Sequence, residues 1–287
     1  MSFLVLPPEL LLMIAERLES QSDLNALSQT SKPLYSILSD TLYQNNIKEH
    51  NSSALFWAAT AGSIGTLKQA LLSAADFNTR DEYRLTPLIY AAIHGHFDVA
   101  RLLIQHGADF YIEGRCSKRP WDKCGPALHE AASRGKTRVV QLLLDLGADV
   151  NHRGGAHGHA LEAAICAGDT HTVQVLVNNG ANIELPGFYD TLLIAAAIMG
   201  NVDIALILLE HGANVNAQDG VLGPPLQAAA DGGHTDVVQL FLDWNADVNA
   251  YGGYYHTALI AAREGEFTDI EELLLENGAD PDVPWPI

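Results

Sequence analysis

The sequence predicts an all-α solenoid, a row of short helix pairs stacked side by side. Three observations carry the prediction. Glycines recur at Gly62, Gly95, Gly135, Gly168, Gly200, Gly233 and Gly265, at spacings of 33, 40, 33, 32, 33 and 32 residues. Alanines at Ala58, Ala91, Ala131, Ala164, Ala196, Ala229 and Ala261 stand four residues before each of them. A second alanine column, Ala75, Ala108, Ala148, Ala181, Ala213, Ala246 and Ala279, is followed every time by Asp or Asn. A period near 33 residues marks units that bury a shared core only by stacking on their neighbours.

Composition bounds the function. The chain has 287 residues, 48% hydrophobic and 18% charged, with no apolar run approaching the roughly 18 residues that would cross a bilayer, so no membrane partner is expected. Three cysteines fit a reducing cytoplasm or nucleus better than a disulfide framework, and the proline-bearing start does not read as a secretory signal. Sixteen Lys and Arg against 35 Asp and Glu leave −19, which repels a phosphate backbone and argues against nucleic acid. The imbalance lies in the second half: residues 139–287 hold Arg153 and Arg263 against 21 acids.

Taken in order, the chain opens with prolines suited to a first helical turn, followed by Leu10, Ile14 and Leu18 at helical spacing. Ser22 and Asp23 can cap a second helix, and Ser31-Lys32-Pro33 opens a third that runs to about Tyr43. Three short helices within residues 1–50 bury too little apolar surface to be secure alone, so they need the repeats or a partner.

From residue 51 the columns take over. Alanine in the first helix of each pair lets the next pair approach closely, and glycine ends that helix by accepting a positive φ. The aliphatic column Leu71, Ile104, Leu144, Val177, Leu209, Leu242 and Leu275 is expected to supply the continuous core. The last repeat reads as one residue short before Gly265 and one long after it. Spacing 40 between Gly95 and Gly135 exposes an insertion at about 112–124, which together with the adjoining helix holds Arg115, Lys118, Arg119, Lys123, Arg134, Lys136 and Arg138. Residues 281–287, with three prolines, cannot continue a helix and are expected to cap the stack.

These columns, with Thr86-Pro87-Leu88, Gly107-Ala108-Asp109, Gly147-Ala148-Asp149-Val150-Asn151 and Gly212-Ala213-Asn214-Val215-Asn216, make residues 51–284 resemble the ankyrin repeat family in seven repeats. The resemblance implies an ankyrin repeat domain over 51–287, built of helix–turn–helix units joined by hairpin-like fingers. It also implies that fingers and first helices line a concave partner-binding face carrying Tyr83, Arg84, His94, Trp121, Arg134, His157, Phe188, Tyr189, Tyr254 and Tyr255. Tyrosine and tryptophan add contact area there at low entropic cost. The basic insertion, with its Trp, suits an acidic, partly extended peptide or is a solvated loop.

Residues 4–43 carry Leu6, Pro7, Glu9, Leu10, Ile14, Leu18, Asp23, Leu24, Ser31 and Tyr35 in an order that resembles the F-box. The pairing with repeats resembles fungal-type F-box/ankyrin proteins. That resemblance implies docking onto the Skp-type adaptor of cullin-based ubiquitin ligases, with Leu6, Pro7, Leu10 and Leu11 near the adaptor, and an unknown protein substrate on the repeats. The alternative is a free-standing scaffold whose first helices only cap the stack.

No metal and no cofactor is expected. Cys116, Cys124 and His129 lack the four ligands and tight pairs of a zinc site, Cys116 and Cys124 could pair as a disulfide, and His152, His157 and His159 read as turn residues. No nucleophile elbow, phosphate loop or metalloprotease helix is present, so the chain reads as a recruiter, not an enzyme. A His- and carboxylate-lined groove acting on a small molecule is the remaining catalytic alternative.

Overall fold

The computed structural model describes residues 51–72, 76–115, 123–185, 189, 191–218 and 222–282. The expected helices of residues 1–50, with Leu6, Pro7, Leu10 and Leu11, lie outside the described residues, as do Cys116, Trp121, Phe188 and positions 283–287 of the expected cap.

Seven helix pairs follow one another: α1 (Asn51–Ala61) and α2 (Ile64–Leu72), α3 (Pro87–His94) and α4 (Phe97–Gln105), α5 (Ala127–Ser133) and α6 (Thr137–Asp145), α7 (Ala160–Ala167) and α8 (Thr170–Asn178), α9 (Leu192–Met199) and α10 (Val202–Glu210), α11 (Pro225–Asp231) and α12 (Thr235–Asp243), α13 (Ala258–Glu264) and α14 (Thr268–Glu276). Helices of this length are unstable alone in water, so packing decides them. First helices stack on first helices and second on second, each pair closed upon itself.

The alanine column is the close-contact seam: Ala58, Ala91, Ala131, Ala164, Ala196, Ala229 and Ala261 are all 0% exposed. The fully buried column stands one residue before the expected one, of which Val177 and Leu209 are also buried, at 7% and 3% exposure. Ala70, Leu103, Leu143, Leu176, Leu208, Phe241 and Leu274 are the fully buried set, whereas Ile104, Leu144 and Leu242 are half-buried and Leu275 is 37% exposed. One residue turns a side chain by about 100° around a helix, so the expected column sits on the rim of the apolar stripe.

The last repeat is also regular. Glu266, not Gly265, takes the left-handed conformation, with φ 57° against −80° at Gly265. The spacing from Gly233 to this turn is thus 33, and the alanine four residues before it is Ala262, 0% exposed like its neighbour Ala261.

The insertion is a finger with its own stem. Strands β1 (Gly114–Arg115) and β2 (Lys123–Cys124) pair antiparallel, with Gly114 opposite Cys124 and Arg115 opposite Lys123. These are the only strands among the described residues. Asparagine ties successive fingers together. Asn78 Nδ2 donates to the Gly107 carbonyl at 3.3 Å and Asn78 Oδ1 accepts the Asp109 N–H at 2.8 Å. Asn151, Asn216 and Asn249 repeat both bonds one repeat onward.

Candidate protein-binding face

The expected partner residues fall into separate groups. Tyr83, His94, Arg134 and His157 gather around the inserted finger. The Tyr83 carbonyl accepts the Arg115 N–H at 2.8 Å, which lays the preceding finger along β1, and the Tyr83 ring packs half-buried beside Leu85, Ile89 and Cys124. Asp81 shapes that turn: its Oδ1 accepts the N–H groups of Tyr83 and Leu85 at 2.9 and 2.8 Å, and its Oδ2 accepts the Tyr90 hydroxyl at 2.8 Å. Burial, then this bond, raise the Tyr90 phenol above its ordinary range. Arg84 stands exposed at φ 62°.

Exposed His94 stacks on His96 at 5.9 Å, and its imidazole is held below the ordinary range by partial burial first, then by His96, Arg134 and Lys136. Half-exposed Arg134 reaches the buried Glu130 carboxylate at 3.9 Å, a long contact of little energetic weight. His157 lines the same cavity as Arg134.

Tyr189 and Tyr255 belong to other fingers and are half-buried against the core. Tyr254 is the reverse: it is 77% exposed, its ring edge-on to Tyr255 at 4.9 Å, with Tyr251 of the same finger 64% exposed.

A column the sequence reading overlooked explains how these fingers are held. His129, Glu162 and Gln227 occupy the place in their first helices that Ile89, Ile194 and Ile260 occupy in others, and all three are buried. Their side chains face the next finger. Glu162 Oε1 accepts the Tyr189 N–H at 2.9 Å. Gln227, with its amide oriented by its neighbours, donates to the Gly252 carbonyl at 2.8 Å and accepts the Tyr255 N–H at 3.0 Å. A Cβ at Gly253, φ 61°, would stand 2.6 Å from the Gly223 nitrogen, so only glycine fits that turn. His129 packs under Gly125 and Gly155, edge-on to His152 at 6.2 Å. Its imidazole is pushed down to about 4, by burial above all; the backbone at Gly158 and His152 opposes the shift, and His152 and His159 add to it. The signal was present as polar letters in an isoleucine column.

Cys124 is buried, and burial with nearby Glu162 pushes the half-buried Cys166 thiol up to about 11, so Cys166 presents no ready thiolate. No described helix is long and apolar enough to cross a membrane.

Comparison with known proteins agrees with this architecture. The human ASB11 ankyrin repeat domain superposes with a TM-score of 0.66 at 26% identity, over 79% of this chain and 98% of that one. Ankyrin repeat domain-containing protein 49 of Bos taurus is 42% identical over 71 residues, 24% of this chain. Probable E3 ubiquitin-protein ligase XBOS33 of Oryza sativa subsp. japonica is 33% identical over 97 residues, 32% of this chain and 17% of its own. The match spans only 30% of the ankyrin repeat domain-containing protein 49 chain. The family model described as Ankyrin repeats (3 copies) matches residues 24–114 and 128–219, and a single Ankyrin repeat matches 224–252. With more than half of its residues matched in this way, the chain belongs to the ankyrin repeat family.

Proposed function

We propose that this chain is a protein-interaction adaptor that holds a partner on its finger and first-helix face and recruits rather than catalyses. The observation that carries the reading is Tyr254, exposed on a finger whose base Gln227 and Gly253 fix in place. A large aromatic ring left in water on a rigid turn is the kind of group that dominates interface energetics. Tyr254→Ala, which disturbs no core packing, should weaken partner binding at least about tenfold. Unchanged binding by the variant would move the partner off this face.

The finer reading is a substrate receptor of a Skp/cullin/F-box ubiquitin ligase acting in the cytoplasm or nucleus, with Leu6, Pro7, Leu10 and Leu11 meeting the Skp-type adaptor. Its support is the motif order in residues 4–43. Co-elution of the full chain with a Skp-type adaptor on a sizing column, wild type beside Leu10→Asp, tests it. Loss in the variant with an unchanged unfolding midpoint is the expected result; no co-elution in either removes the ligase role.

A second reading is favoured by one observation. The ankyrin match begins at residue 24, inside the F-box-like stretch, as it would if those helices belonged to the stack. A free-standing scaffold then loses stability but no partner when residues 1–50 are deleted.

A further inference from the structure

Within a chain of net charge −19, positive charge concentrates at one place, the stem and surroundings of the inserted finger. Arg115 and Lys123 stand directly opposite each other across the β1–β2 ladder, a like-charged pair that costs stability unless something else uses it. Beside them a cavity of about 410 Å³ is lined by Glu113, Lys123, Arg153 and the glycine-rich turn at Gly154–Gly158. A second cavity, about 200 Å³, adjoins it through Lys123, Gly155 and Ala156 and is lined by Arg134, His129 and His157.

Among the described residues, the two carboxylates that line these cavities are already turned to the backbone. Glu130 Oε1 accepts the Gly125 N–H at 2.9 Å, and Glu113 Oε1 accepts the Gly155 N–H at 3.3 Å. Among the described residues, Arg115, Lys123, Lys136 and Arg153 enter no ion pair, and Arg134 has only its long contact to Glu130. The cations come from β2, the C-terminal cap of α5 and the following finger, strung along two joined cavities, which suits several carboxylates in a row better than one small anion.

We propose that this cleft takes the acidic side chains of an extended Asp- or Glu-rich segment of the partner protein. The proposal rests on the adaptor reading and names the chemistry of one part of the bound partner. Backbone alternation in an extended segment would direct every second carboxylate into the cavities.

The test uses the full chain and a fluorescein-labelled peptide of alternating Glu and Gly, beside its Gln-Gly counterpart, followed by fluorescence anisotropy at low and physiological salt. The Glu peptide should bind about tenfold or more tightly than the Gln peptide and weaken as salt rises. The double variant Lys123→Glu/Arg153→Glu, both positions exposed, should lose that preference while its circular dichroism is unchanged; Tyr254→Ala should keep it. Equal affinity for both peptides, or an undiminished preference in the double variant, overturns the proposal. A partner that the double variant still holds but Tyr254→Ala loses would overturn the cleft and leave the adaptor reading standing.

Discussion

Phe267 lies across Gly233: a Cβ built on Gly233, at φ 71°, would stand 2.6 Å from the Phe267 ring. The same relation joins Gly62 to His96, at 2.7 Å, and Gly135 to Asp169, at 2.6 Å. His96 uses the close approach to put its Nε2 2.9 Å from the Thr60 carbonyl at the end of α1. At these positions glycine therefore has two causes, a left-handed backbone and a side chain from the next repeat passing over it. Among the described residues, α14 is the last helix and no side chain of a following helix pair crosses Glu266.

Gly233→Ala and Glu266→Gly should accordingly shift stability in opposite directions. The alanine adds left-handed strain and a clash, about 2 kcal/mol of loss or more. The glycine relieves strain at an exposed site and gives back part of the gain in unfolded-chain entropy, a net of about 0.5–1 kcal/mol. Urea denaturation midpoints of the two variants beside wild type check both signs; no gain for Glu266→Gly would mean that Glu266 has a compensating partner.

Much of the fold was legible in the letters because stacking imposes the same small residue at the same seam seven times. The register of the last repeat was not, since Gly265 imitates the column while Glu266 adopts its backbone. The most buried column stands one residue before the expected one for a different reason: Leu143 and Leu144, or Leu274 and Leu275, are equally apolar, and only the facing helix shows which is covered more completely. The candidate face was legible as a set of aromatic and basic residues. That Tyr255 is packed while Tyr254 stands free depends on Gln227, a contact between neighbouring repeats that no single-repeat pattern reveals.

His129 makes the protein sensitive to acid. With the folded imidazole near 4 and an ordinary value of 6.5, the unfolded chain takes up the proton first as pH falls. The sign follows: this contribution is complete above about pH 6.5 and is lost toward pH 4, costing about 2 kcal/mol between pH 7.5 and pH 5. His129→Ile, the residue that α3, α9 and α13 carry there, should remove most of that drop in urea midpoint. An equal drop in the variant would place the acid sensitivity elsewhere.

The asparagine ties are interrupted twice: Tyr111 replaces one asparagine and accepts the Asp149 N–H through its hydroxyl at 3.2 Å, and Glu184 replaces another. Glu184 occupies the position of Asn151 and Asn216, and no side-chain bond from it to the following turn is present among the described residues; a space of about 50 Å³ bordered by Glu184 and Asn214 lies there instead. Glu184→Asn should restore the two bonds and raise stability by about 0.5–1 kcal/mol, while Asn216→Ala should lower it by about 1 kcal/mol. Matching denaturation curves check the pair. A loss on Glu184→Asn would show that the turn cannot close on a shorter side chain.

Glu162 carries the sharpest test of how a finger is positioned. Its side chain is fully buried, and its Oε1 is the acceptor for the Tyr189 N–H. Glu162→Gln keeps an acceptor oxygen at the same reach and should leave the finger in place. Glu162→Ile restores the apolar residue of the neighbouring repeats and fills similar space, yet it strands a backbone donor against the core, a cost of about 1–3 kcal/mol. The loss should be local, because each repeat touches only its neighbours. Limited proteolysis should therefore cut Glu162→Ile within 183–191 faster than wild type, while Glu162→Gln resists as wild type does. Equal resistance in both variants would mean that packing around Tyr189, rather than the carboxylate, fixes the finger.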